Sequence, residues 1–265
     1  IETTIQRTIF QELNPKRKLL KNLLVNLKIN KKLKATIRKR KCLLYYVKDF
    51  DESTFIVKFA KEKHLIRHDE GSDDIHKEDI SNFPFIFMLI SLDKQIVLIE
   101  NKFSVFSSPF SARNCIESFF SSFLKKNDYI FKVDEISNEN KFWEYVDRAD
   151  EIFSLKMNLK SPNMFGARYK ANEFLKDQKK NYNNTEMNVE IKNEKGKLKL
   201  VRENLEDFIQ YISAGGGQYH LLLKNKGVFQ RIKSAISIKK SYIKSIEDET
   251  QEKLKLVLEQ IDENK

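Results

Sequence analysis

The chain has 265 residues, 40% of them apolar and 11% aromatic, with only 7 Gly and 4 Pro. Enough large side chains are present to bury a core, so composition excludes a chain disordered throughout and a collagen-like or low-complexity one. The net charge of +11 puts polyanions first among partners, because a basic surface attracts anions wherever its charge clusters.

Residues 5–13 alternate and are expected to open the fold as a strand. Asn14-Pro15 then reads as N-cap and first turn of a helix, since Pro lacks only an N–H that would be unsatisfied there. Leu19, Leu20, Leu23, Leu24 and Leu27 recur at helical spacing, placing a core stripe opposite Lys18, Lys21 and Lys28. Strands are expected over 41–50 and 54–61, joined at Asp51-Glu52-Ser53, and over 85–91 and 95–100, joined at Leu92-Asp93-Lys94. The continuous apolarity of this second pair points to strands buried on both faces. An alternating order follows: helix 111–126, strand 129–135, helix 141–149, strand 152–159.

After Ser161-Pro162-Asn163 a helix is expected over 167–180, then a hairpin of 186–192 and 197–201 and a helix over 204–213 closed by Gly215–Gly217. A last hairpin, 219–224 and 228–238, turns at Asn225-Lys226-Gly227, and an acidic helix runs over 248–261. The fold class is therefore α+β: mostly antiparallel sheets with helices on one face and a split βαβ-like middle portion. Three segments are expected, namely a basic region 1–82, the βαβ-like region 83–162 and a C-terminal region 163–265, packed as one or two compact domains.

Positive charge clusters twice. The first run, free of acidic residues, holds Lys16, Arg17, Lys18, Lys21, Lys28, Lys31, Lys32, Lys34, Arg38, Lys39, Arg40 and Lys41; the second holds Lys224, Lys226, Arg231, Lys233, Lys239 and Lys240. Lysines and arginines in such runs neutralise phosphates and release counterions, so both are expected to contact nucleic acid. Asp69, Glu70, Asp73 and Asp74 lie in an acidic loop, which leaves a second copy of the chain, or an acidic protein, as the alternative partner.

Chemical signatures are short. Glu100-Asn101-Lys102 after Asp93, and Glu190-Ile191-Lys192, carry the ExK spacing with which nucleases hold Mg²⁺ and polarise a phosphate. Such a spacing arises often where Glu and Lys are abundant. His220, close to the second basic run, could instead serve as acid or base in metal-independent RNA cleavage. His64 and His68 share helical spacing ahead of Asp69, Asp73, Asp74 and His76, but the segment reads as strand and loop, so no metal site is expected. Cofactors are expected to be none, with Mg²⁺ entering only if the ExK pairs are catalytic. Phe119, Phe120 and Phe123 read as a helix core face, whereas Phe103 or Phe106 could stack on bases.

Cys42 and Cys115 lie far apart and outside CxxC spacing, implying neither a disulfide framework nor a zinc module. The apolar runs 83–92 and 96–99 are too short to cross a bilayer, and no secretory pattern opens the sequence. No membrane partner and a cytoplasmic location are expected. The run Leu159 to Asn163 and the 186–200 hairpin resemble an uncharacterised family of bacterial proteins associated with mobile elements and phage defence. That resemblance covers the second half and implies a setting in antiviral defence, with no catalytic residue to carry over. The functional expectation is a nucleic-acid-binding protein, with a nuclease or a protein-interaction module as alternatives.

Overall fold

The structure, a computed structural model, describes residues 15–70, 74–161, 170–237, 239, 252, 255, 256, 258 and 259. They fall into two compact units, one ending at Val133 and the other beginning at Asp134. The boundaries expected near 82 and 162 thus lie inside units. The 5–13 strand, residues 162–169, Lys240 and most of the 248–261 helix lie outside the described residues.

The first unit is built on a leucine stripe and an alternating sheet. Helix α1 (Pro15–Asn30) carries the expected leucine stripe, and Leu24 and Leu27 on it are fully buried. It stops at Lys31, whose φ of 61° leaves the helical region. The chain then enters β1 (Lys32–Ile37), β2 (Arg40–Asp49) and β3 (Thr54–Lys61).

The basic run is therefore helix, strand, turn and strand in succession. Arg38 and Lys39 are a two-residue turn and Arg40 and Lys41 open β2, since Ile37 pairs with Arg40 and both Arg38 (φ 48°) and Lys39 (φ 65°) are left-handed. Strands β6 (Phe85–Ser91) and β7 (Ile96–Ile99) complete a five-stranded antiparallel sheet of order β1-β2-β3-β6-β7. Between β3 and β6 the chain forms a separate hairpin of β4 (Lys63–Glu70) and β5 (Ile75–Asn82).

Strand alternation decides the core. Cys42, Leu44, Phe55, Val57, Phe59, Ile86, Met88 and Ile90 face one way and meet Leu24 and Leu27 of α1 with Ile116, Phe119 and Phe120 of α2 (Pro109–Leu124). Ser108 caps α2, its hydroxyl accepting from the Ser111 N–H at 3.1 Å. The strand expected over 129–135 is absent. There the backbone bonds to side chains of α2: Phe131 N–H donates to Ser121 Oγ (2.9 Å) and Val133 N–H to Glu117 Oε1 (2.9 Å). With its donors satisfied by a helix, the segment needs no ladder.

In the second unit, β8 (Glu151–Lys160), β9 (Glu186–Lys192), β10 (Gly217–Asn225) and β11 (Val228–Lys233) form an antiparallel sheet of order β11-β10-β8-β9. Because β7 and β8 belong to different sheets, the middle portion feeds two sheets and no split βαβ unit forms. Helices α3 (Glu139–Asp147), α4 (Lys170–Tyr182) and α5 (Arg202–Tyr211) cover one face through Phe142, Trp143, Leu175, Leu205 and Ile209. Residues 197–201 make a single bridge from Lys197 to Ile152 where a hairpin limb was expected.

Helix α5 runs into a wide turn, Ile212–Gly216, and Gly215 at φ 95° ends it, the role its sequence suggests. Gly217 permits the closest approach in this unit, because a Cβ there would lie 2.1 Å from Asn158 O. Gly217→Ala is expected to separate β10 from β8 at this end and to destabilise the second unit by about 1–3 kcal/mol. Gly227→Ala, at φ 78° with nothing within 4 Å, should cost only the left-handed backbone, about 1–2 kcal/mol. Urea denaturation of both variants, with far-UV circular dichroism as the signal, checks the amounts.

Candidate nucleic-acid interface

The face of the first sheet turned away from α1 and α2 is fixed by the same alternation. Lys32 stands opposite Tyr45, Tyr45 opposite Lys58 and Lys58 opposite Phe87; in the next row Lys34, Leu43, Ala60 and Phe85 follow one another. Directly opposed residues of antiparallel strands project to the same side. All of these but Phe87, together with Lys41 and Phe83, line a groove of about 530 Å³. Farther along this face Ile56 and Leu89 are fully buried, so the groove occupies one end of it.

Lysine and aromatic side chains interleave here. The Lys58 ammonium lies 5.0 Å from the ring centroids of both Phe85 and Phe87, and Lys102 lies 5.0 Å from Phe85. Lys32 sits 5.6 Å from Tyr45, which is 37% exposed. An ammonium over an exposed ring is worth about 0.5–1 kcal/mol. A stacked base is worth about 1–3 kcal/mol. A base can therefore displace the ammonium from the ring, leaving the lysine to meet the adjoining phosphate.

Glu62 sets the position of Lys41 at the groove's rim. Its carboxylate is buried and accepts from the Lys41 N–H (3.0 Å) and Ser81 Oγ (3.0 Å), and it pairs with Lys41 Nζ at 3.3 Å. The Lys41 N–H bond leads in holding the Glu62 carboxyl below the usual glutamate range, against the opposing effect of burial.

Other expected contact residues disperse. Arg17 pairs with Asp93, and Lys28 pairs with Asp49, which raises the lysine above its ordinary range. Lys18 and Lys21 are exposed on α1, while nothing of the Lys16 side chain is described. Helix α1 packs on the sheet face opposite the groove, so the first basic run splits between two sides of one sheet. Lys31 lies 4.8 Å from the Tyr46 ring, Arg38 and Lys39 form the β1–β2 turn, and Arg40 reaches Glu62 O at 3.4 Å.

Of the two ExK pairs, the first makes contacts within its own unit. Glu100 Oε2 accepts from the Phe87 N–H at 2.8 Å, extending the ladder past the end of β7, and Lys102 lies over Phe85. Phe106 is buried, stacked on Phe59, while Phe103 is exposed, 67%. Among the described residues no three His, Cys, Asp or Glu side chains gather where they could hold a metal ion. His64 bonds to Asp79 at 3.1 Å across the β4–β5 hairpin, which replaces much of the expected acidic loop.

The second unit brings together residues that the sequence kept apart. On the sheet face away from its helices, Lys233, His220, Lys156 and Glu190 form one row across four strands, with Arg231, Leu222, Ser154 and Lys192 beside it. Burial first, and then Lys233 and Lys156, push His220 below the ordinary histidine range. Lys224 pairs with Glu151 at 3.1 Å, and Lys226 lies in the β10–β11 turn, its N–H donating to Asp150. Lys239 is half-buried, and burial lowers its pKa.

Tyr45, Lys58, Phe85 and Lys156 were missed as site residues. The signal for the first unit was present in Lys32-Leu33-Lys34-Ala35-Thr36-Ile37, whose period of two puts both lysines on one side of a strand. Compared with known proteins, the chain matches no family model, no curated protein and no solved structure. Among the described residues no helix is long and apolar enough to cross a membrane.

The lowered pKa of Glu62 sets a pH dependence. Its ionised form is bound more tightly in the folded chain, so the stability it contributes is present above the unfolded glutamate range and is lost as pH falls through the lower folded value. Glu62→Gln is expected to be less stable than the parent chain at pH 7, with the gap closing towards pH 3. Denaturation midpoints measured across that range check it.

Proposed function

We propose that the chain binds nucleic acid, holding a single strand across the groove of the first sheet. The observation that carries this reading is the interleaving of Lys32, Lys34, Lys41 and Lys58 with Tyr45 and Phe85 in one groove. Lysines supply affinity for any phosphate backbone, whereas exposed rings reward unpaired bases, whose faces a duplex keeps stacked. The combination favours single strands over duplex. A setting in phage defence rests on the resemblance of the second half alone.

A second reading is favoured by the Lys233–His220–Lys156 row: metal-independent cleavage of RNA on the second sheet. His220 would take the proton of a ribose 2′-hydroxyl as that oxygen bonds to phosphorus. The bond from phosphorus to the 5′-oxygen breaks, and a flanking lysine ammonium gives that oxygen a proton. The products would be a cyclic phosphate and a free 5′-hydroxyl.

One experiment separates the two readings. Labelled single-stranded RNA, single-stranded DNA and duplex are titrated by fluorescence anisotropy at two salt concentrations in EDTA, and strand integrity is followed on gels. Tyr45→Ala and Phe85→Ala are each expected to weaken single-strand binding by about 1–3 kcal/mol, and Lys34→Ala to reduce the salt slope by about 0.7. Duplex preference, or unchanged binding in folded variants, contradicts the groove. RNA shortening that His220→Ala abolishes and Tyr45→Ala spares establishes the second reading; intact RNA with the parent chain removes it.

A further inference from the structure

The chain's two cysteines, remote in sequence, meet in the core of the first unit. Cys42 on β2 is fully buried, Cys115 on α2 is half-buried, and their sulfurs are 3.7 Å apart as free thiols. Two sulfurs at that distance are in van der Waals contact. A side-chain adjustment of one of them brings the pair towards the roughly 2.05 Å of a disulfide bond.

We propose that Cys42 and Cys115 are a reversible oxidation site, with Cys115 as the thiol that reacts first and Cys42 as the thiol that resolves it. Three features set this division of roles. Cys115 is the more exposed of the two, so a small oxidant reaches it first. Its thiolate is favoured by the contact with the Cys42 thiol and then, against the cost of burial, by the Lys61 and Arg38 charges, which lower its pKa. The same contact and burial push the Cys42 thiol up, keeping it protonated until its partner is modified.

With a peroxide, the Cys115 thiolate attacks one oxygen; the S–O bond forms, the O–O bond breaks, and the departing hydroxide takes up a proton. Cys42 Sγ then attacks Cys115 Sγ, forming the S–S bond and releasing water with the Cys42 proton. Two thiols are oxidised by two electrons, and one peroxide is reduced to two waters. A small-molecule disulfide achieves the same by two exchanges, and a dithiol reductant reverses it. The cross-link ties β2 to α2 and encloses β3 to β7, so it restricts the unfolded chain over a long loop.

The test uses the purified full chain with a small excess of hydrogen peroxide, read by intact mass, by non-reducing peptide mapping and by thermal melting. The parent chain is expected to lose about 2 Da, to yield a peptide joining Cys42 to Cys115, to melt several degrees higher, and to revert with dithiothreitol. Cys42→Ser should stop at a sulfenic acid on Cys115 that dimedone traps, and Cys115→Ser should leave Cys42 unmodified. The proposal is overturned if the parent chain keeps both thiols free, if Cys42 is modified as readily in Cys115→Ser as Cys115 is in Cys42→Ser, or if the only disulfide formed joins two chains.

Discussion

The core of each unit depends on one constraint: an antiparallel strand sends successive side chains to opposite faces, and the five-stranded and the four-stranded sheet each bury one face under helices. Once Cys42, Leu44, Val57, Phe59, Ile86 and Met88 are committed to the core of the first unit, Lys41, Leu43, Tyr45, Lys58, Ala60 and Phe85 are committed to the other side. A one-residue slip of β2 or β3 would exchange the two sets. The groove is therefore held in place by the packing of α1 and α2 on the opposite face of the sheet.

That constraint also explains why charge clustering in the sequence and charge clustering in space differ. The first basic run looks like one surface, yet it crosses a helix, a strand and a left-handed turn, and its members separate onto opposite sides of the sheet. Some are neutralised: Arg17 by Asp93, Lys28 by Asp49. Lys32 remains beside the Tyr45 ring, and Lys34 lines the same groove. Lys58 and Lys102, which belong to no basic run, join them because their strand or loop ends beside Phe85.

The helices and most strands were legible in the sequence because their signals are local. The stripe of α1, the β2–β3 and β6–β7 hairpins and Gly215 at the end of α5 all follow from neighbours within a few residues. What escaped has a different cause in each case. The 129–135 run has strand-like composition, but its N–H groups are satisfied by Ser121 and Glu117 of a helix, a tertiary choice. Residues 197–201 were placed in a hairpin, whereas β9 pairs with β8 and leaves them a single bridge.

The candidate sites were less legible than the fold, since they depend on register. The spacing of Glu100 and Lys102 fits metal chemistry and chance alike; pairing of β6 with β7 gives one to a backbone N–H and the other to a ring. His220 was visible as a lone histidine near lysines. Only the β10 register puts Lys156 on one side of it and Lys233 on the other. The contact of Cys42 with Cys115 needs α2 seated on β2, which no spacing rule foretells.

Ultraviolet cross-linking of a single-stranded RNA or DNA to the parent chain, with the attached peptides identified by mass spectrometry, tests the central claim most directly. If the groove holds the strand, nucleotide-bearing peptides come from β2 and β6, with adducts at Tyr45 and Phe85. Adducts confined to β10 and β11, or to α1, would contradict it.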